Sequence, residues 1–121
     1  MVMLDGSDVV GSWVGGKPVD GVEFLVARAG IATAAARTMA DGGEVLNAAE
    51  RVTVAQALRG NTIDAAWMCH ADALVGSLEA GKAADFVLLA DDPLAHEDDP
   101  DAVREIALLA TYLDGAEVHS A

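Results

Sequence analysis

Residues 76–93 read GSLEAGKAADFVLLADDP and contain the clearest strand signal in the chain. The two glycines in residues 76–82 are typical of turns. A continuous apolar run follows at residues 86–90 and predicts a buried strand. Asp91, Asp92 and Pro93 come next and end that strand. Residues 76–90 are therefore predicted to form a turn followed by a strand.

The residues after this strand predict a short helix and then a hairpin. Asp99 and Pro100 place an acceptor at an N-cap and a proline at the first helical position. Residues 106–113 and 116–119 flank Asp114-Gly115, a dipeptide that favours a type I′ turn between antiparallel strands.

The residues before position 76 predict helices. Apolar residues recur at three- and four-residue intervals over residues 22–39, with Gly30 as the weak point. Thr53 and Gln56 form a capping-box pattern, which predicts a helix from Thr53 to Gly60. Thr62 is expected to cap a second helix containing residues 65–68.

The N-terminal residues predict a strand and a loop. The apolar residues 2–4 indicate a buried strand, which ends in Asp5, Gly6, Ser7 and Asp8. Residues 11–21 hold four glycines without the context of a phosphate-binding loop, so we interpret them as a loop. The order of a strand, helices and then strands predicts an α+β fold.

Composition limits the classes of partner and the size of the fold. The 121 residues make about one domain, whereas a (β/α)8 barrel needs about 250. Hydrophobic residues make up 53% but aromatics only 4%, so we expect a thin core.

The net charge of −13 repels phosphate backbones and anionic membranes, which argues against both as partners. With no signal peptide, no span of about 18 apolar residues and a single cysteine, a cytoplasmic location is expected.

Few side chains in the sequence suggest chemistry by themselves. Cys69 and His70 lie in an apolar helical stretch, where a buried thiol and a partly buried structural histidine are expected. His96 lies within the acidic run at residues 91–101, which could attract a cation but lacks EF-hand spacing. We interpret this run as a solvated loop. The serines lack a nucleophile-elbow motif.

Several separated motifs carry a resemblance to a known family. They are ERVT at residues 50–53, ALRGNT at 57–62, GSLEAGKAADFVLL at 76–89, and Thr111, Gly115 and Val118 near the end. In this order and spacing they resemble the C-terminal region of the amidohydrolase superfamily, and most closely amidohydrolase family 3. The resemblance covers about 70 residues.

The resemblance implies a fragment of a TIM-barrel enzyme. Residues 1–75 would be a remnant of the barrel, with its last strand, a glycine-rich loop and helices. Residues 76–121 would be part of the small β-sandwich, or composite, domain that ends in the hairpin. Because the family's sandwich takes other strands from the N-terminal end of the parent chain, the strands at 86–90 and 106–113 are expected to keep open edges and exposed apolar faces. The whole chain is thus expected to be the C-terminal portion of a longer enzyme.

The same resemblance implies metal-dependent hydrolysis of carbon–nitrogen bonds other than peptide bonds, with zinc or a similar divalent metal in the full-length family. Gly6-Ser7-Asp8 is similar to the motif at the end of the eighth barrel strand, where an Asp contacts the metal and takes a proton from the attacking water. Asp8 is therefore the one candidate for both a catalytic residue and a metal ligand. The alternative is that Asp8 has only a structural role in a loop or as a helix cap.

The family's H-x-H pair, bridging ligand and later histidine ligands have no counterparts in this sequence. We expect no metal and no catalysis by this chain alone.

Three accounts of the chain stay open. It is a truncated or split product of an amidohydrolase gene, or a small α+β oligomerisation or binding module without activity, or one half of an enzyme completed by a separate polypeptide. The expected partner is accordingly either the chain itself, as a homo-oligomer, or the missing N-terminal barrel portion.

Overall fold

The computed structural model describes residues 13–14, 17–18, 22–38 and 44–121, with side chains from Arg28 onward within those ranges. The α-helices are α1 (Val22–Ala36), α2 (Val54–Gly60) and α3 (Ile63–Met68), and 3-10 helices span Ala48–Glu50, Pro93–His96 and Pro100–Glu105. The strands are β1 (Trp13–Val14), β2 (Lys17–Pro18), β3 (Phe86–Leu89), β4 (Leu108–Leu113) and β5 (Ala116–Ser120). Helices precede a three-stranded antiparallel sheet, which confirms the α+β prediction. The strand predicted at residues 2–4 lies outside the described residues.

Helix α1 ends three residues before the predicted position. Arg37 adopts a left-handed backbone with φ of 60°, and its amide donates to the Thr33 carbonyl at 2.8 Å. This arrangement is a common helix C-cap, so it stops the helix at Ala36. Before α1, the predicted loop at residues 11–21 contains a small antiparallel ladder, in which β1 pairs with β2.

Helix α2 begins with the predicted capping box. The Thr53 hydroxyl accepts from the Gln56 amide at 3.0 Å, and the Gln56 side chain accepts from the Thr53 amide at 2.9 Å. The expected cap of α3 is wrong, because the Thr62 hydroxyl donates backward to the Leu58 carbonyl at 2.9 Å. Asp99 likewise makes no side-chain cap for the 3-10 helix Pro100–Glu105, although proline does occupy its first position.

The main sheet has the strand order β3-β4-β5, with both pairs antiparallel. β4 is central, so the open edge expected at residues 106–113 is wrong, and the edges are β3 and β5. Asp114 and Gly115 have φ values of 49° and 76°, which confirms the type I′ turn. The Asp85 carboxylate accepts from the Asp114 amide at 2.8 Å and fixes this turn to the residue before β3.

The core joins residues that are distant in sequence. It is built from small and medium side chains, contributed by α1, by α2 and by the end of the 3-10 helix Pro100–Glu105: Ile31, Ala32, Ala35, Val54, Ala57, Val103 and Ile106. Val87 of β3 is 1% exposed and packs against Leu58 of α2. Residues on both sides of position 75 thus share apolar contacts, while the division into domains at that position stays a prediction.

Candidate functional site

A polar cleft of about 460 Å³ lies where the end of α1, the start of α2 and residues 97–101 meet. Its lining includes residues 97–101 of the acidic run and the residues just before and within α2. The lining residues are Ala35, Ala36, Thr38, Arg51, Val52, Thr53, Gln56, Glu97, Asp98, Asp99, Pro100 and Asp101.

Glu97 occupies the N-terminus of α2. Its two carboxylate oxygens accept from the amides of Val54 at 2.9 Å and Ala55 at 3.0 Å. Because Thr53 accepts from the next amide, the first three amide donors of the helix all have side-chain acceptors. A negative charge here is also stabilised by the helix dipole. An external anion would therefore have to displace Glu97.

Asp101 and Arg104 hold the 3-10 helix Pro100–Glu105 against Thr38, just after α1, and against α1 itself. The Thr38 hydroxyl lies 2.6 Å from both oxygens of its carboxylate, and Arg104 donates to Asp101 from Nε at 3.1 Å and to the Thr33 hydroxyl from Nη2 at 3.0 Å. The hydrogen bond from Thr38, then the bond and charge of Arg104 and the charge of Arg51, lower the pKa of the Asp101 carboxyl. At neutral pH this group is therefore an ionised anchor and holds no proton to donate.

The donor set of the cleft does not suit a catalytic metal. The lining residues include carboxylates but neither histidine nor cysteine. Across the side chains of residues 28–38 and 44–121, no three His, Cys, Asp or Glu residues lie close enough together to share a metal ion. A catalytic zinc site needs about three protein ligands, so the described residues do not fit one.

The predicted site residues are dispersed. Asp8 lies outside the described residues, and its role stays a prediction. His96 lies in the acidic run, where its Nε2 is 2.9 Å from Asp91 Oδ2. This bond and the Asp92 amide lower the pKa of the Asp91 carboxyl. The His96 ring therefore belongs to a surface pair with one carboxylate.

Cys69 and His70 correct two expectations, because both are exposed. Helix α3 ends at Met68, and His70 adopts a left-handed φ of 56° immediately after it. Among the helices and strands, α3 packs mainly against α2, and residues 67–70 at its end and just after it are all exposed. The burial of Cys69 and His70 that was predicted from the apolar composition of this stretch is therefore wrong.

The motif at residues 76–82 forms its own polar network. The Ser77 hydroxyl donates to Glu79, and Lys82 Nζ donates to Ser77 at 2.6 Å and forms a 2.9 Å ion pair with Glu79. The hydrogen bond from Ser77, followed by Lys82, lowers the pKa of the Glu79 carboxyl. Lys82 acts here as a donor, so this arrangement does not activate Ser77 as a nucleophile.

Residues 11–119 match the model of amidohydrolase family 3, which carries the description Amidohydrolase family. The chain belongs to this amidohydrolase family. The family membership confirms the resemblance carried by the motifs at residues 50–62 and 76–89. In the part of this amidohydrolase chain that the structure describes, no helix is long and apolar enough to cross a membrane.

The amidohydrolase chain is also similar to a solved structure, the crystal structure of an amidohydrolase from Thermotoga maritima MSB8. The two are 25% identical, with a TM-score of 0.51. The match covers 88% of this chain and 22% of that chain, so this chain spans about a fifth of the length of that amidohydrolase. The comparison with curated proteins found no match.

Proposed function

We propose that this amidohydrolase chain is a portion of a metal-dependent hydrolase acting on carbon–nitrogen bonds other than peptide bonds. The observation that supports this most strongly is the family match over residues 11–119. In the proposed arrangement, residues 1–75 are the last strand and helices of a TIM barrel. Residues 76–121 are part of its small β-sandwich domain.

The metal proposed for the whole enzyme is zinc or a similar divalent ion. Since the described residues do not fit such a site, its ligands would come from elsewhere in the assembled enzyme. Asp8 is the one residue of this chain that we assign to it, as a metal contact and as the base that accepts a proton from water. A carboxylate at the end of a strand suits that role, because the carboxyl ends of strands carry the chemistry in barrels.

The isolated chain is proposed to be catalytically silent. Its described part would serve the enzyme as a support, in which Glu97 holds the acidic run at residues 91–101 against α2, and Asp101 holds it against Thr38, just after α1. The partner would be the missing N-terminal barrel portion or a second copy of the chain. The single, unpaired Cys69 supports a reducing, cytoplasmic location.

Bound zinc and hydrolysis of the purified chain test this proposal directly. Zinc is measured by elemental analysis with and without a chelator, and hydrolysis is measured on a panel of simple amides and cyclic imides. We expect far less than one zinc per chain and no turnover. Stoichiometric, chelator-sensitive zinc with turnover would refute the silence of the isolated chain.

Asp8→Asn then tests the assigned residue, with Asp5→Asn as the matched control. If the wild-type chain binds zinc or hydrolyses a substrate, and Asp8→Asn leaves this unchanged, Asp8 is not part of the site. If Asp8→Asn abolishes the zinc binding or hydrolysis and Asp5→Asn does not, Asp8 belongs to the site, and the proposal that the isolated chain is catalytically silent is refuted.

The alternative proposal is a small α+β oligomerisation or binding module without activity. The observation that favours it is the large exposed apolar side chains on and after α3, which include Trp67 and Met68. A mass that rises with concentration supports the module, whereas copurification of a larger polypeptide supports a split enzyme.

A further inference from the structure

Asp114 and Gly115 form the tip of the hairpin that joins β4 to β5, and both residues are exposed. In an Asp-Gly pair the glycine nitrogen can attack the aspartate carboxyl carbon, because glycine has no side chain to obstruct the approach. The new C–N bond closes a cyclic imide, and the carboxyl hydroxyl leaves as water with the amide proton. Water then opens the imide at either carbonyl, which gives aspartate or isoaspartate and needs no oxidant or cofactor. The hairpin tip therefore carries both reacting groups of a spontaneous modification.

The closed turn keeps these two groups apart. The φ values of 49° and 76° place Asp114 and Gly115 at the two central positions of a type I′ turn, where the first residue has a ψ of about +30°. At this angle the Gly115 nitrogen and the Asp114 Cβ lie on opposite sides of the Cα–C bond. Ring closure requires them on the same side. The carboxyl carbon therefore cannot reach the nitrogen until the turn opens.

Two hydrogen bonds from the segment before β3 keep the turn closed. The Asp85 carboxylate accepts from the Asp114 amide at 2.8 Å, and the Ala84 carbonyl accepts from the Gly115 amide at 3.0 Å. The second bond also occupies the N–H group that ring closure must deprotonate. Both bonds break when the tip moves away from β3, so opening of the turn and reactivity are coupled.

We propose that Asp114 is a modification site, which is unreactive in the closed hairpin and converts to isoaspartate when the turn opens. Isoaspartate adds a methylene group to the main chain of a two-residue turn, and the length of such a turn fixes the register of its strands. In the strand order β3-β4-β5, β5 pairs with β4, and every residue of β5 is exposed. Detachment of β5 therefore costs little buried apolar surface. Modification should release β5 and leave β4 with an open edge.

Incubation of the full chain in heavy-oxygen water, with and without urea, tests the modification site. Peptide mapping by mass spectrometry measures isoaspartate at position 114, and uptake of one heavy oxygen identifies the route through the imide. We expect conversion to be at least tenfold slower in the folded chain than in the urea-unfolded chain, because the turn must open first. Equal rates in the two states, no conversion in urea, or isoaspartate without heavy oxygen would overturn the proposal.

Asp85 variants test the bond that closes the turn. Asp85→Ala removes the acceptor of the Asp114 amide and should speed conversion in the folded chain roughly fivefold, the effect of one partly exposed hydrogen bond on the opening equilibrium. Asp85→Asn is the matched control, because its side-chain carbonyl still accepts, and its rate should stay within about twofold of wild type. Hydrogen exchange of the α1 amides confirms that each variant is folded. Equal conversion in the two variants refutes the role of Asp85, and if Asp85→Ala does not fold, the comparison in urea decides alone.

Hydrogen exchange of the purified isoaspartate form tests the structural consequence. The amides of β5 should lose their protection, whereas those of α2 should keep it, because α2 contributes Val54 and Ala57 to the core and does not contact the hairpin tip. Unchanged protection of β5 would mean that the hairpin accommodates the added methylene group, and the proposed release of β5 would be refuted. None of these measurements involves zinc or hydrolysis, so their outcome is separate from that of the proposed function.

Discussion

Replacing Gly76 by alanine should destabilise the fold sharply. Gly76 has a φ of +89°, and an added methyl carbon would lie 2.6 Å from the Ala66 Cβ and 3.0 Å from the Ile63 Cα. The backbone conformation costs an L-residue about 1–2 kcal/mol. The overlap costs about 1–3 kcal/mol more, because a backbone atom of α3 must move to relieve it. The free energy of unfolding should therefore fall by about 2–5 kcal/mol.

Gly81 offers a matched control for this prediction. Its φ is +96°, but nothing lies within 4 Å of an added methyl carbon, so Gly81→Ala carries only the conformational cost of about 1–2 kcal/mol. Urea denaturation followed by circular dichroism gives both values. If the two variants differ by less than about 0.5 kcal/mol, the close packing of Gly76 on α3 makes no contribution and the reasoning is refuted.

Other substitutions test separate features. Gly30→Ala should raise the free energy of unfolding by about 0.5–1 kcal/mol, since the new methyl group in α1 meets nothing within 4 Å; a loss of stability in urea would contradict this. Thr53→Ala should lower it by about 1 kcal/mol through the lost N-cap, with Thr53→Ser as the neutral control in the same assay. Glu97→Ala should speed hydrogen exchange of the first two amides of α2 and leave the central amides of α1 unchanged. The lowered pKa of Asp101 means that its ionised form contributes stability above about pH 4, which is lost as pH falls through the folded-state pKa. The stability gap between wild type and Thr38→Val should therefore be widest at pH 7 and shrink below about pH 4, and a gap independent of pH would exclude this linkage.

Features that act within a few residues could be predicted from the sequence. The capping box of Thr53 and Gln56 and the Asp114-Gly115 turn each depend on contacts inside four residues, and both are present in the structure. Thr62 shows the limit of that approach, because its hydroxyl has a competing acceptor in the preceding helix. Burial is harder still, since it depends on what packs over a side chain. Cys69 has apolar neighbours in sequence, yet it and the rest of residues 67–70 are exposed.

The cleft could not be assembled from the sequence. The acidic residues that line it were predicted to lie in a solvated loop. Instead, Glu97 accepts hydrogen bonds from amides 42 and 43 residues away, and Asp101 accepts one from a hydroxyl 63 residues away. No local pattern signals such contacts, because an acid on a solvated loop and an acid that caps a distant helix look alike in sequence. The family motifs indicated the amidohydrolase correctly because they are order-dependent and span much of the chain.

The shared core has a consequence for synthesis on the ribosome. Ile31 and Ala35 of α1 are buried partly by Val103 and Ile106, which are translated some seventy residues later. Until those residues emerge, α1 displays an apolar stripe without its final partner, and contacts this distant in sequence form slowly. Until then Val54 and Ala57 of α2 supply only part of the cover of α1, and a partly covered apolar face is prone to aggregation.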